Sequence, residues 1–175
     1  MLKLNVGCGD VYLKDWINID LDNPKADLKH DLREPLPYSC EIDCIYNEHV
    51  IEHFSVEEGL KVLSNFHASL KPGGILRIAT LDLNHLVFRY IFSWKKQPWL
   101  QKYGYNWIKT RAEMLNIAMR SWNHKYVYNY EELRRRITEV GFREVTRKKI
   151  GKSNFSFLQN LETRKDSKLV VEAIK

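Results

Sequence analysis

Leu4-Asn5-Val6-Gly7-Cys8-Gly9 and, after Asp10–Asp15, Trp16-Ile17-Asn18-Ile19-Asp20 carry the signal from which the architecture follows. Each is a short apolar run with an abrupt polar end, the first on glycines and the second on a carboxylate. Short apolar runs bounded by turn-forming residues read as strands. On either side of these stretches, Leu2 joins the first strand, and Ala26–Asp31 forms a third, stopped by Pro35 and Pro37. Ile42–Tyr46 and Ile75–Thr80 form a fourth and a fifth. Between these two, Ser55 and Glu58 have the spacing of a capping box. Leu60, Leu63, Phe66 and Leu70 follow at helical spacing, and Lys71-Pro72-Gly73-Gly74 is expected to end the helix. A later helix is expected over Glu131–Val140, with Asn129 as cap and Gly141 as stop, followed by strands near 143–150 and 168–174.

Alternation of strand and helix implies parallel strands joined by crossovers, hence an α/β sheet. Ligands of such sheets sit beyond the C-terminal strand ends, near the switch in strand order. The residues there are Gly7–Asp10, Asp20–Asp22, Asp31–Leu32, Asn47–His49 and Leu81–Asp82. Glycine lets backbone approach a ligand with no Cβ between them. Asp20, ending a strand, is placed to accept both hydroxyls of a ribose. Asp31 is placed to take the exocyclic amine of adenine while Leu32 packs on the ring.

A chain of 175 residues, 44% hydrophobic and 29% charged, has the size and composition of one globular domain. No stretch is long and apolar enough for a membrane span, and the N-terminus does not read as a secretory signal. Cys8, Cys40 and Cys44 form neither a disulfide framework nor a zinc pattern, so free thiols, a cytoplasmic protein and no metal are expected. The net charge of +6 is concentrated: residues 88–130 hold eight basic side chains against Glu113 alone, and the rest of the chain carries −1.

With these motifs in register, the chain resembles the class I S-adenosylmethionine-dependent methyltransferases, most closely a small type 11-like group. The resemblance rests on Leu4–Gly9, Ile17–Asp20, His30-Asp31-Leu32, Glu52-His53-Phe54 and Leu70–Gly74. It covers residues 2–83 well and 124–174 loosely. It implies a Rossmann-like, mostly parallel seven-stranded sheet with an antiparallel last strand and helices on both faces. It also implies S-adenosylmethionine as cofactor. Gly7 and Gly9 would border its methionine part with Cys8 between them, Asp20 and Leu21 would line the ribose, Asp31 and Leu32 the adenine, and Asn47 the sulfonium. The chain departs from the family in two places. Asp10 and Val11 stand where another glycine is common, and only Asp10–Trp16 are left for the first crossover, so its helix must be very short.

A dinucleotide fold is disfavoured, because Tyr12 stands at the third glycine of Gly-x-Gly-x-x-Gly and Asp20 comes too early. His49-Val50-Ile51-Glu52-His53 matches His-x-x-Glu-His, which on a helix would place two histidines on one face for a metal-dependent hydrolase with Glu52 as base. A non-catalytic module on the same fold, binding a cofactor or partner, is a further alternative.

Methyl transfer requires alignment of donor and acceptor, and for a hydroxyl or amine acceptor a base. His49, Asp82 and His124 are the candidates by position, His49 ahead of the others, and Glu48 could serve cofactor or substrate. Residues 85–123 read as a lid-like insertion in a single domain of 1–175. With its flank to Tyr130 it is crowded with aromatics, among them Trp94, Trp99, Tyr103, Trp107 and Trp122. Packed lid and homodimer surface are the plain readings. The sharper one is an acceptor wall, in which rings stack on a sugar and basic groups hold an anion. A small anionic or sugar-containing acceptor ranks first, RNA second and protein third. Similar chains that accompany glycan-modifying enzymes point toward a saccharide.

Overall fold

The computed structural model describes the backbone of residues 1–175 and every side chain except those of Pro98 and Gln101. Its strands are β1 (Lys3–Val6), β2 (Ile17–Asp20), β3 (Leu28–Lys29), β4 (Ile42–Glu48), β5 (Leu70–Thr80), β6 (Arg143–Lys148) and β7 (Leu169–Ile174). They make one seven-stranded sheet in the order β3-β2-β1-β4-β5-β7-β6. Neighbours from β3 through β5 are parallel, and only β7 runs against the rest. The order reverses between β1 and β4, which opens a crevice at their C-terminal ends. This is the Rossmann-like sheet expected from the motifs.

Alternation along the strands divides the core. Leu4, Val6, Ile19 and Ile45 point to one face, where they meet Leu63 and Phe66 of α1 (Val56–Ser69). The opposite face buries Tyr46, Cys44, Ala79 and Val170 beneath Trp16 and Leu158, which come from loops. The N-terminus of α1 carries the expected capping box, Ser55 and Glu58 each satisfying the other's backbone N–H. The helix ends at Ser69, earlier than read from Lys71–Gly74. Leu70 already pairs with Ile42, and Gly73 and Gly74 exchange backbone hydrogen bonds with Lys175.

Between β5 and β6 the chain forms α2 (Leu83–Phe92), α3 (Pro98–Lys102), α4 (Arg111–Arg120) and α5 (Tyr130–Glu139). Leu133 and Ile137 of α5 join the α1 side of the main core. The segment of α2 to α4 has its own small core of Leu86, Trp99, Leu100, Ile108, Met114 and Ala118, tied to the sheet through Leu81 and Val127.

No helix joins β1 to β2 among the described residues, a correction to the very short helix expected there. Two buried amides hold the loop in its place. Asn5 and Asn18 are register partners on adjacent strands, 3% and 0% exposed. Asn5 Nδ2 donates to Val11 O and to Asn18 Oδ1, which also accepts from Leu13 N. Asn18 Nδ2 serves Leu13 O, Trp16 O and an Asp27 carboxylate oxygen. Buried backbone groups must find partners, and here strand side chains supply them where a helix would have supplied its own.

Candidate functional site

β1 is followed by Gly7, whose φ of +63° favours glycine, and a Cβ there would lie 2.4 Å from Val50 Cγ2. Gly9 is also left-handed, at +49°, and its α-carbon faces open space. From the end of β2, Asp20 accepts the Gly9 N–H at 2.8 Å on Oδ2, and those of Asp22 and Asn23 at 2.9 and 3.0 Å on Oδ1. Burial works against the charge of Asp20, but these backbone donors outweigh it and hold the carboxyl below its ordinary range. Oδ2 retains acceptor capacity for a ligand hydroxyl. Oδ1 already holds two backbone donors, so the remaining acceptor capacity of Asp20 lies on Oδ2.

Asp20, Leu21 and Gly7 line a cavity of about 470 Å³ together with Asp31, Leu32 and Phe54. The Asp31 carboxylate lies against the Arg33 guanidinium, with Nε at 3.0 Å and Nη2 at 2.6 Å, and this holds its pKa down to about 2. It therefore remains an acceptor at every ordinary pH. Arg33, Lys125 and Asn123 also reach this cavity, and nothing in the strand pattern foretold them.

His49 and His53 line this cavity and a second one of about 320 Å³, so they form the partition between the two. His49 is left-handed (φ +55°), and the 3₁₀ turn that follows begins only at Ile51. The helical face assumed for a His-x-x-Glu-His metal grip is therefore not formed. His49 Nδ1 lies 2.8 Å from Oε1 of the buried Glu52, and Nε2 lies 3.0 Å from Ser167 Oγ. Ser167 Oγ also donates to Glu48 Oε1 at 2.7 Å. The serine has one hydrogen, and with it directed at Glu48 its oxygen must accept from Nε2–H. Both ring nitrogens of His49 then carry protons. Burial opposes this charge, but the hydrogen bond and charge of Glu52 prevail, raising the His49 pKa and lowering that of Glu52. His49 thus has both ring nitrogens engaged, one by Glu52 and the other by Ser167. Glu48 is likewise occupied, by the Thr163 N–H and hydroxyl and the Arg164 N–H.

The second cavity is walled by Trp99, Tyr103 and Trp122, with His124, Arg164 and Asp166. Trp122 meets Trp99 edge-on at 5.8 Å between ring centroids, which sets both ring planes. Backbone N–H groups of Lys125 and Tyr126 donate to Glu52 O, bringing His124 against His53 at 5.1 Å. His124 Nδ1 lies 2.9 Å from Ala118 O and can only donate there. Burial lowers its pKa, so the ring is neutral and Nε2 keeps its lone pair. His124 is therefore the expected base candidate whose nitrogen stays available.

Asp82 is 3% exposed, caps α2 by accepting the Asn84 N–H at 3.0 Å, and pairs with Arg147 at 2.6 Å. The Asp82 carboxylate is thus engaged by the first turn of α2 and by an arginine of β6. Cys8, Gly9 and Asn47 do not line the larger cavity. Gly9 acts through its backbone on Asp20, Cys8 is buried, and the Asn47 amide is buried without a hydrogen-bond partner among the described residues. Arg164, Asp166 and Ser167 escaped sequence reading entirely, since they lie in a loop with no strand or helix pattern.

A family model described as a methyltransferase domain matches residues 6–147. No curated protein matches the chain in sequence. Among solved structures, an S-adenosylmethionine-dependent methyltransferase of Archaeoglobus fulgidus is similar at 16% identity and a TM-score of 0.57, over 99% of this chain and 85% of that one. One from Thermotoga maritima is similar at 17% identity and a TM-score of 0.58, over 99% and 82%. Human N-acetylserotonin methyltransferase in complex with S-adenosylmethionine is similar at 16% and 0.57, over 99% of this chain and 47% of that one. At these identities the likeness is one of fold. The chain belongs to the methyltransferase-domain family, and its sheet is that of the class I S-adenosylmethionine-dependent enzymes.

Proposed function

We propose that the chain holds S-adenosylmethionine in the larger cavity and methylates a hydroxyl or amine of a small anionic or sugar-containing acceptor in the aromatic one. The observation that carries this reading is the pair of adjoining cavities that share His49 and His53 as a common wall. Transfer between two bound molecules requires two pockets that meet at the reacting atoms.

The residues present fit the cofactor. The larger cavity has a volume suited to a nucleoside-sized ligand, a glycine backbone at one end, a carboxylate with spare acceptor capacity at Asp20, and Asp31 beside the apolar Leu32. Gly7, Asp20, Leu21, Asp31 and Leu32 would hold it. When bound, S-adenosylmethionine supplies a methyl group activated by a sulfonium, the electron pair of the broken bond staying on sulfur. The remaining work falls to side chains. Trp99, Tyr103 and Trp122 present faces that fit the C–H side of a sugar ring. Arg164, which has no carboxylate partner among the described residues, is suited to an acidic group. His124 Nε2 accepts the acceptor's proton as the new bond to methyl forms. The His49–Glu52 pair keeps the partition in place and is neutral as a unit. Residues 1–175 serve as one domain with the 85–123 insertion as its lid, and the free cysteines suit a reducing cytoplasm.

Calorimetry with S-adenosylmethionine and S-adenosylhomocysteine tests the first half. Saturable binding is expected, and Asp20→Ala should weaken it by about 1–3 kcal/mol. Unchanged affinity in that variant would show the site to be elsewhere. Screening sugars, small acids and RNA for S-adenosylhomocysteine release tests the second half. Turnover on RNA alone would refute the small acceptor.

A further inference from the structure

We infer that the outer side of α2 and the basic segment that follows it form a docking face for an anionic lipid bilayer. The inference rests on the surface of the insertion and is independent of the proposed methyl transfer. α2 has two apolar sides. Leu86 turns into the small core of the insertion, with Leu83 and Tyr90 packed against it. Val87, Phe88, Ile91 and Phe92 face water, 43%, 54%, 48% and 70% exposed. They form two rows at i, i+4 spacing on one side of the helix, and the rings of Phe88 and Phe92 lie 5.0 Å apart. An exposed cluster of this kind marks a contact surface.

The charges around it are unneutralised. Of the eight basic side chains in residues 88–130, only Lys125 has a carboxylate partner among the described residues. Lys95 and Lys96 leave the end of α2 directly and are exposed. Arg111 is fastened to the same end, donating to Ile91 O at 3.1 Å. Beside them a cleft of about 210 Å³ is lined by Trp94, Lys95 and Tyr105, a basic and aromatic niche that suits an anionic headgroup.

These features select the occupant. A second copy docked on the same face would set one excess of positive charge against another. RNA would answer the lysines and stack on phenylalanine, but it offers nothing to aliphatic Val87 and Ile91. A bilayer answers both, with the apolar row in the headgroup–acyl boundary and the lysines on anionic headgroups.

Flotation of the full chain with phosphatidylcholine vesicles, and with vesicles that also contain phosphatidylglycerol, tests this. Binding is expected to the mixed vesicles and not to phosphatidylcholine alone. Lys95→Gln with Lys96→Gln should weaken it by about fivefold per lysine. Phe88→Ser with Phe92→Ser should weaken it by at least about tenfold, and the single Phe92→Ser, at the most exposed position, guards against a folding defect. No flotation with the mixed vesicles would overturn the inference. Flotation that ignores the phenylalanine substitutions would also overturn it, by revealing adsorption through charge alone. A dimer in light scattering that the same substitutions dissociate, without flotation, would assign the face to a second copy.

Discussion

Replacing Asn18 by alanine removes the main clamp on the loop between β1 and β2. Its side chain touches five partners, four of them neutral: Asn5 Nδ2, Leu13 N, Leu13 O and Trp16 O. The fifth, Asp27, stands in water and loses little. A neutral hydrogen bond contributes about 1 kcal/mol net, and a donor or acceptor left buried without a partner costs somewhat more. Leu13 is only half-buried and recovers solvent, so the expected loss is about 3 kcal/mol. For a chain of this size, with a urea slope of roughly 2 kcal/mol/M, the unfolding midpoint should fall by about 1.5 M. Cofactor affinity should fall with it, because the loop positions Gly9 on Asp20. Asn5→Ala should couple to it in a double-mutant cycle, since the two amides are hydrogen-bonded. A midpoint shift below about 0.5 M, or strict additivity of the two substitutions, would refute the account of the loop as held by its amides.

Three further outcomes follow from the site and the core. His124→Gln should lower methyl-transfer turnover by roughly 10²- to 10⁴-fold with cofactor affinity unchanged. Because burial holds the wild-type imidazole below its ordinary 6.5, the wild-type rate should decline only as pH falls through that depressed pKa. Glu52→Gln breaks a buried pair and should cost about 3–5 kcal/mol. The pair contributes fully above the ordinary glutamate value of 4.5 and below the ordinary histidine value of 6.5. It is lost as pH rises through the raised pKa of His49 or falls through the lowered pKa of Glu52, so the difference between wild type and variant in urea should peak inside that window. Arg77→Met leaves Glu162 and Glu172 buried without their shared guanidinium, and the urea midpoint should report a loss of about 3–5 kcal/mol.

Much of the fold was legible because local signals agreed with one another. The Ser55–Glu58 box, the period of α1 and the apolar runs of β1, β2, β4 and β5 each fix an element from a few adjacent residues, and their alternation implies a parallel sheet. The glycine and aspartate edges were legible for the same reason, since a residue just past a parallel strand must stand at the sheet's ligand-binding rim. What could not be read was side-chain engagement across long separations. Position alone recommends Glu48, His49 and Asp82, but each is claimed by a partner elsewhere in the chain: Thr163 and Arg164 for Glu48, Ser167 for His49, Arg147 for Asp82. His124 was chosen by position as well, and it stays available because its local partner, Ala118 O, occupies only one nitrogen. The amide clamp did leave a trace. Leu4-Asn5-Val6 and Ile17-Asn18-Ile19 each set a polar residue in mid-strand, and two such residues at matching depth in adjacent strands should find each other.

The chain of contacts from Glu52 through His49 and Ser167 to Glu48 ties the end of β4 to the loop ahead of β7, and Arg164 and Asp166 from that loop wall the aromatic cavity. Synthesis proceeds from the N-terminus, and the ribosome emits β1 through β5 long before Ser167. A nascent chain can therefore build the glycine and aspartate edge early, yet it has no finished partition until the antiparallel β7 docks beside β5. The wall between the two cavities is in this way completed only after the glycine and aspartate edge.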